Sequence, residues 1–416
     1  MANFANTSFK MEIRLKKFFF QLKTTLFLSA FMLAFLPSRA QLIDPGTLRA
    51  EEVFTYLLND ESENLYNTFN KEMRQALTPD SVKGLMKQIQ IQIGRYSGHD
   101  EWHRKGIFYT TACHFAATDL LLIVALDDSS RVSGLRFAPV TATSTAQIPD
   151  NVTEKKLTIK SDTFKLPAVI CEPRGKGATA IVVLVAGSGP QDMDETVGPN
   201  KLLRDLAWML AKKGIATLRF DKRTYVYGKA SNVTTVDDEV TDDVLNIVSQ
   251  LQSPKIFVLG HSLGGMMAPR IAQRASNKLA GIILMAAPAR QLEVVAKDQI
   301  DKLVGDAKLK QEAMTLLEKS APQSYWESLH TYDQVKTAQE LNLPILVLQG
   351  ERDYQVSMVD YNLWQKALQE KATFRSFPKL NHLFQTGDEP STPAEYNKEG
   401  HVTQEVADAI ADFVNR

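Results

Sequence analysis

Of the 416 residues only two are cysteine, Cys113 and Cys171. That scarcity excludes a disulfide-stapled scaffold. Because the pair falls in segments read below as separate modules, two free, partly buried thiols are expected in place of a bridge. An excess of charge is lacking too, with Lys plus Arg and Asp plus Glu at 48 each. This balance removes the electrostatic reason to expect a nucleic acid or an anionic membrane surface as partner, so small molecules fit better. At 44% hydrophobic and 23% charged, the composition is that of an ordinary globular protein, long enough for two domains.

A long apolar run is also missing at the N-terminus. Arg14, Lys16, Lys17 and Lys23 precede an apolar stretch from Thr25 to Pro37, and Ser38-Arg39-Ala40 follows with small residues. Residues 1–40 therefore read as a cleavable export signal, with Met11 a candidate start. A membrane anchor is the alternative, but the stretch is shorter than the ~20 residues a span needs, so no stable span is expected after cleavage. No cysteine lies beside the cleavage site for lipid attachment. Export without disulfides points to a bacterial envelope, periplasmic or secreted.

Residues 48–90 carry apolar positions three and four apart, including Val53, Leu57, Leu65, Phe69, Met73 and Leu77, which predicts two or three helices. From Gly106 the runs become strand-like, with a hairpin turn at Asp127-Asp128-Ser129-Ser130. A small α+β domain over 48–140 follows from that order. Residues 141–154 are polar and read as a linker. Beyond it, apolar runs at 180–186, 215–220, 255–260, 279–287, 344–350 and 373–377 alternate with amphipathic stretches such as 202–212, 240–251 and 361–368. This predicts a doubly wound, mostly parallel α/β domain over 155–416, interrupted by a helical cap at about 288–343.

Gly260-His261-Ser262-Leu263-Gly264 fits G-x-S-x-G between a predicted strand and a predicted helix, the context a nucleophile elbow requires. Side chains two places either side of the serine would collide in so sharp a turn, so Gly260 and Gly264 are expected. Ser262 is the candidate nucleophile, at the positive end of a helix. Asp353 and His382 each follow a predicted strand, giving the chain order Ser, Asp, His. His382 would take the serine proton and Asp353 would orient the ring. Glu351 or Asp360 stays open as the acid and His401 as the base. The loop Ala186-Gly187-Ser188-Gly189-Pro190 follows an early buried strand, and the amides of Ser188 and Leu263 are the candidate oxyanion-hole donors.

Together AGSGPQDMDE, RFDKR, GHSLGG, PILVLQGERDYQV and LNHLF make the chain from about residue 155 onward resemble α/β-hydrolase-fold serine esterases. The likeness is to the exported bacterial branch grouped with dienelactone hydrolases and prolyl-oligopeptidase-like proteins. Residues 48–140 resemble the small NTF2- or cystatin-like domain of unknown function that precedes such hydrolases. The resemblance implies ester cleavage through an acyl-enzyme with no metal or organic cofactor, and a small-molecule ester as partner. Arg223–Gly228 departs from the shorter turn of many relatives, so a different local loop shape is expected there.

A serine peptidase acting on short peptides is the nearest rival; a haloalkane dehalogenase would want a carboxylate where Ser262 stands. A catalytically silent scaffold is the rival from another class. His99 and His103, four apart, miss the H-E-x-x-H pattern, so a zinc site there is disfavoured. Asp192, Asp194 and Glu195 read as an exposed acidic loop, with cation binding the less favoured alternative. Tyr325, Trp326 and His330 either line a pocket or pack the cap. Oligomeric state stays open.

Overall fold

A computed structural model describes residues 44–416 apart from 117–118, 141–146, 176, 276, 304–306, 320 and 389. The expected export signal and the first six residues of the expected linker, 141–146, lie outside the described residues. The chain divides into two compact units, one of residues 1–111 and 122–136, the other of 112–121 and 137–416. Cys113 and Cys171 are both buried and free, and this division places both in the larger unit, not one in each.

Five helices open the described chain, more than the periodicity predicts: α1 (Pro45–Leu58), α2 (Ser62–Thr68), α3 (Lys71–Ala76), α4 (Pro79–Val82) and α5 (Leu85–Ile93). The apolar spacing runs on, but local caps restart the helix. Asn70 accepts from Met73 N at 2.9 Å, Thr78 and Ser81 form a capping box, and Gly84 takes φ +71°, which glycine adopts without a Cβ penalty. The strands β1 (Tyr96–His99), β2 (His103–Lys105), β3 (Phe108–Phe115), β4 (Asp119–Leu126) and β5 (Val132–Pro139) form one sheet in the order β1-β3-β4-β5, with β2 on β3. Asp127 closes the predicted hairpin turn, its carboxylate accepting from Ser129 N at 2.9 Å and Arg131 N at 3.0 Å.

The larger sheet starts earlier than the sequence suggests. Val152, assigned to the linker, opens β6 (Val152–Ser161), which pairs antiparallel with β7 (Phe164–Pro173). Then come β8 (Ile181–Val185), the two-residue ribbon β9 (Thr196–Val197) and β10 (Asn200–Lys201), α6 (Leu202–Lys212), β11 (Ala216–Phe220) and α7 (Arg223–Tyr227). Next are α8 (Asp242–Gln250), β12 (Ile256–His261), α9 (Leu263–Arg274) and β13 (Gly281–Met285). The insertion is helical as expected: α10 (Leu292–Leu303), α11 (Ala307–Lys319), α12 (Gln323–His330) and α13 (Gln334–Glu340). It leads to β14 (Ile345–Gly350), α14 (Met358–Leu368), β15 (Ala372–Phe377) and α15 (Gln404–Val414).

The order across the sheet is β15-β14-β13-β12-β8-β11-β7-β6. From β15 to β11 all neighbours run parallel; β7 is antiparallel to β11. Each central strand feeds two cores. Ile181, Val183 and Val185 join one apolar cluster with Val244, Met266 and Trp364, while Val182 and Leu184 join another with Leu206 and Ile410. The unbroken apolar runs are thus explained, because both faces are covered by helices and alternation would leave polar groups in one core. Among the described residues no helix is long and apolar enough to cross a membrane.

Candidate active site

The chain leaves β8 toward β11 on one side, whereas it leaves β12 toward β13 on the other. Loops beyond the carboxyl ends of two such neighbours flank a crevice, the usual ligand position in open α/β sheets. Ser262 sits at the end of β12 with φ +52° and ψ −118°, a conformation that costs a non-glycine residue energy and persists only when the surroundings impose it. Backbone, not side chains, crowds the two glycines. A Cβ on Gly260 would lie 2.1 Å from Gly264 O, and one on Gly264 would lie 2.5 Å from Val185 O. Across the crevice, a Cβ on Gly187 would be 3.2 Å from the Ser262 Cβ, so the loop after β8 runs directly against the serine.

Asp353 follows β14 and is buried. Its Oδ2 lies 2.6 Å from His382 Nδ1 and accepts from Gln349 Nε2 at 3.1 Å, while Oδ1 accepts from the backbone N–H groups of Gln355 at 2.8 Å and Val356 at 3.0 Å. The carboxylate is therefore fixed on both oxygens. His382 lies in the loop after β15, whose turn is held by Asn381 Oδ1 accepting from Leu383 N and Gln385 N. This loop presses on the end of β14: a Cβ on Gly350 would stand 2.4 Å from Leu380 O. The rival residues have other partners. Asp360 accepts from Arg290 and from Ala289 N, Glu351 from Ser376, and His401 pairs with Asp205.

His382 is tied to the elbow through the residue before the serine. His261 Nε2 donates to His382 O at 3.0 Å, and the two rings lie 4.6 Å apart between centroids. His261 Nδ1 faces Glu195 Oε1 at 2.9 Å. Both ring nitrogens thus meet acceptors, which favours the imidazolium. Burial pulls the His261 pKa down, but the Glu195 carboxylate and the hydrogen bonds outweigh it and hold the ring above the ordinary histidine range. The expected exposed acidic loop is overturned here. Glu195 is buried, and Asp194 bonds Arg219 at 2.8 Å and Lys201 at 3.2 Å. Burial pushes the Asp194 carboxyl up, yet Arg219 prevails and holds it below the usual range. Nothing in the local composition separates these acids from solvent-facing ones, since Arg219 and His261, which hold Asp194 and Glu195, lie 25 and 66 positions along the chain.

The candidate oxyanion donors lie on the loop after β8 and at the start of α9. Leu263 is the first residue of α9, so its N–H lacks an intrahelical acceptor. Around Ser188, the Gly187 N–H donates to Glu195 Oε1 at 2.7 Å and the Gly189 N–H to Glu239 Oε1 at 3.0 Å. Among the described residues nothing accepts from Ser188 N.

A family model described as serine aminopeptidase, S33, matches residues 199–326. The esterase EstD of Thermotoga maritima is 35% identical over 393 residues, spanning 88% of this chain and 95% of that protein. This chain belongs to the EstD family of α/β-hydrolase esterases. Solved structures similar to this EstD-family chain include a proline iminopeptidase of Mycobacterium smegmatis, 13% identical, over 63% of this chain and 98% of that one at a TM-score of 0.45. Est1E of Butyrivibrio proteoclasticus is 17% identical over 62% of this chain and 96% of that one, also at 0.45.

In this EstD-family chain Tyr325 and Trp326 of the insertion pack on the core, whereas His330 stays exposed. Tyr325 is buried and its hydroxyl donates to Glu239 Oε2, Trp326 Nε1 donates to Glu318 O at 3.1 Å, and His330 pairs with Glu293. The departing segment after Lys222 is α7, anchored by Arg223 on Asp243. His99 and His103 fall on separate strands instead of one helix face. No group of three or more His, Cys, Asp or Glu suited to a metal ion occurs among the described residues.

Proposed function

We propose that this chain hydrolyses carboxylic esters through an acyl-enzyme on Ser262. The observations that support the reading are the buried His382–Asp353 hydrogen bond, the tie from the His382 carbonyl to His261, and the strained, glycine-flanked turn of the next residue, Ser262; the EstD kinship supports an ester as substrate. In the first half-reaction His382 Nε2 takes the Ser262 proton as Oγ attacks the acyl carbon. The carbonyl oxygen becomes an oxyanion facing the Ser188 and Leu263 amides. Collapse expels the alcohol, which leaves with the proton from His382, and water repeats the sequence to release the acid. Asp353 keeps the ring in the tautomer with Nδ1 protonated and stabilises the imidazolium.

The polar insertion between β13 and β14 supports short acyl groups, acetyl on carbohydrate being one form. Residues 1–40 support export to the periplasm or beyond. The small N-terminal α+β part carries no catalytic constellation and is read as a domain preceding the hydrolase. A second reading, cleavage of short peptides, is favoured by the serine aminopeptidase model over 199–326. The test assays purified protein on p-nitrophenyl acetate and on aminoacyl p-nitroanilides beside Ser262→Ala. Ester turnover lost in the variant supports the proposal; anilide turnover without ester turnover replaces it with the second reading.

A further inference from the structure

Three consecutive peptide units of the loop after β8 are gripped by buried charges. The Gly187 N–H is taken by Glu195 and the Gly189 N–H by Glu239. Between them, Lys222 Nζ donates to the Gly187 carbonyl at 2.8 Å and also to Glu239 Oε1 at 2.5 Å. Lys222 is only 2% exposed and Glu239 6%. Burying an ammonium is costly unless it is paired and hydrogen-bonded, and both conditions are met here.

We infer that Lys222 is a positioning residue that sets the direction of the Ser188 amide in the oxyanion hole, with Glu239 and Tyr325 holding Lys222 in place. The inference rests on the acyl-enzyme reading above. The Gly187 carbonyl and the Ser188 N–H belong to one planar trans peptide and point in opposite directions. Gripping the carbonyl therefore aims the N–H. Released, this peptide can turn about the Gly187 Cα–C bond, where no Cβ restricts it; a flip would present a carbonyl oxygen where the donor belongs. The Tyr325 hydroxyl on Glu239 Oε2 places a residue of the cap insertion in the same chain of contacts. Through it, α12 bears on the oxyanion loop without touching the reacting atoms.

The test compares wild type with Lys222→Met/Glu239→Gln, which removes the ammonium without stranding a buried carboxylate, and with Tyr325→Phe. Readouts are kcat and KM on p-nitrophenyl acetate and inhibition by an aryl trifluoromethyl ketone, whose serine adduct carries the oxyanion. Loss of an oxyanion donor costs about 10²–10³ in kcat, so a misaimed one is expected to cost about 10–100-fold. KM should stay within about threefold and ketone affinity should fall in step with kcat. Tyr325→Phe should show the same pattern at about threefold. If the double variant does not fold, Tyr325→Phe decides alone. Ketone affinity unchanged in the folded variant, with kcat kept or lost together with melting temperature, overturns the inference while Ser262-dependent hydrolysis stands. Ser262→Ala as active as wild type overturns the acyl-enzyme reading and the inference with it.

Discussion

Among the described residues of the smaller unit the buried polar side chains are Thr68 and Thr111, whereas the larger unit buries many charged ones: Glu195, Lys222, Glu239, His261, Asp353 and His382, joined by hydrogen bonds to the elbow and the loop after β8, and elsewhere Arg204, Asp205, Arg219, Arg223, Asp243 and Asp360. Both units have apolar cores, so packing alone does not require these charges. Each buried ion is a desolvation cost that a hydrophobic substitute would avoid. The six joined to the elbow mark where geometry outweighs stability, and the smaller unit shows what the same chain does without that demand.

The comparison can be broken most sharply at the serine and its base. Ser262→Ala and His382→Ala are each expected to lower kcat/KM on p-nitrophenyl acetate by about 10⁵-fold, because members of such a unit fail together. Steady-state kinetics would show it, and a tenfold effect from either would place the chemistry elsewhere. Next comes the turn itself. Gly260→Ala sets a Cβ 2.1 Å from the Gly264 carbonyl oxygen, a backbone clash with nowhere to relax, and is expected to cost more than about 4 kcal/mol. Denaturant titration against wild type measures it.

Sequence reasoning finds the strand ends and the elbow because unbroken apolar runs leave little choice of fold. Strand β6 escapes it because Glu154, Lys155, Lys156 and Lys160 make a sheet-edge strand resemble a linker, as charged edges do. The acidic loop escapes for another reason. Glu195 meets His261 across 66 positions and Asp194 meets Arg219 across 25; no local pattern encodes such pairing. Glycine at 187, 260 and 264 was legible as spacing, but the demand for it is seen only when a Cβ is placed among its neighbours.

Smaller effects sharpen the contrast. With its folded-state pKa raised, His261 contributes stability that is complete below about pH 6.5, its unfolded-state value. That contribution is lost as pH rises through the higher folded value. Melting temperature from pH 5.5 to 8.5 should therefore fall more steeply for wild type than for His261→Gln; parallel slopes would remove the imidazolium from the account. Smallest in turnover is Leu65→Ala, in the core of the smaller unit. It should cost about 2–4 kcal/mol of stability yet leave kcat within about twofold in the folded fraction, and a turnover loss beyond tenfold would contradict the division of labour.

The central claim is a covalent acyl group on Ser262. Rapid mixing with excess p-nitrophenyl acetate, acid quenching within the first turnover and intact-mass measurement test it most directly. The account predicts one added acetyl group on wild type, mapped to the peptide containing Ser262, and none on Ser262→Ala. Hydrolysis by wild type with no acetylated species in the quenched samples, or equal labelling of Ser262→Ala, would contradict it.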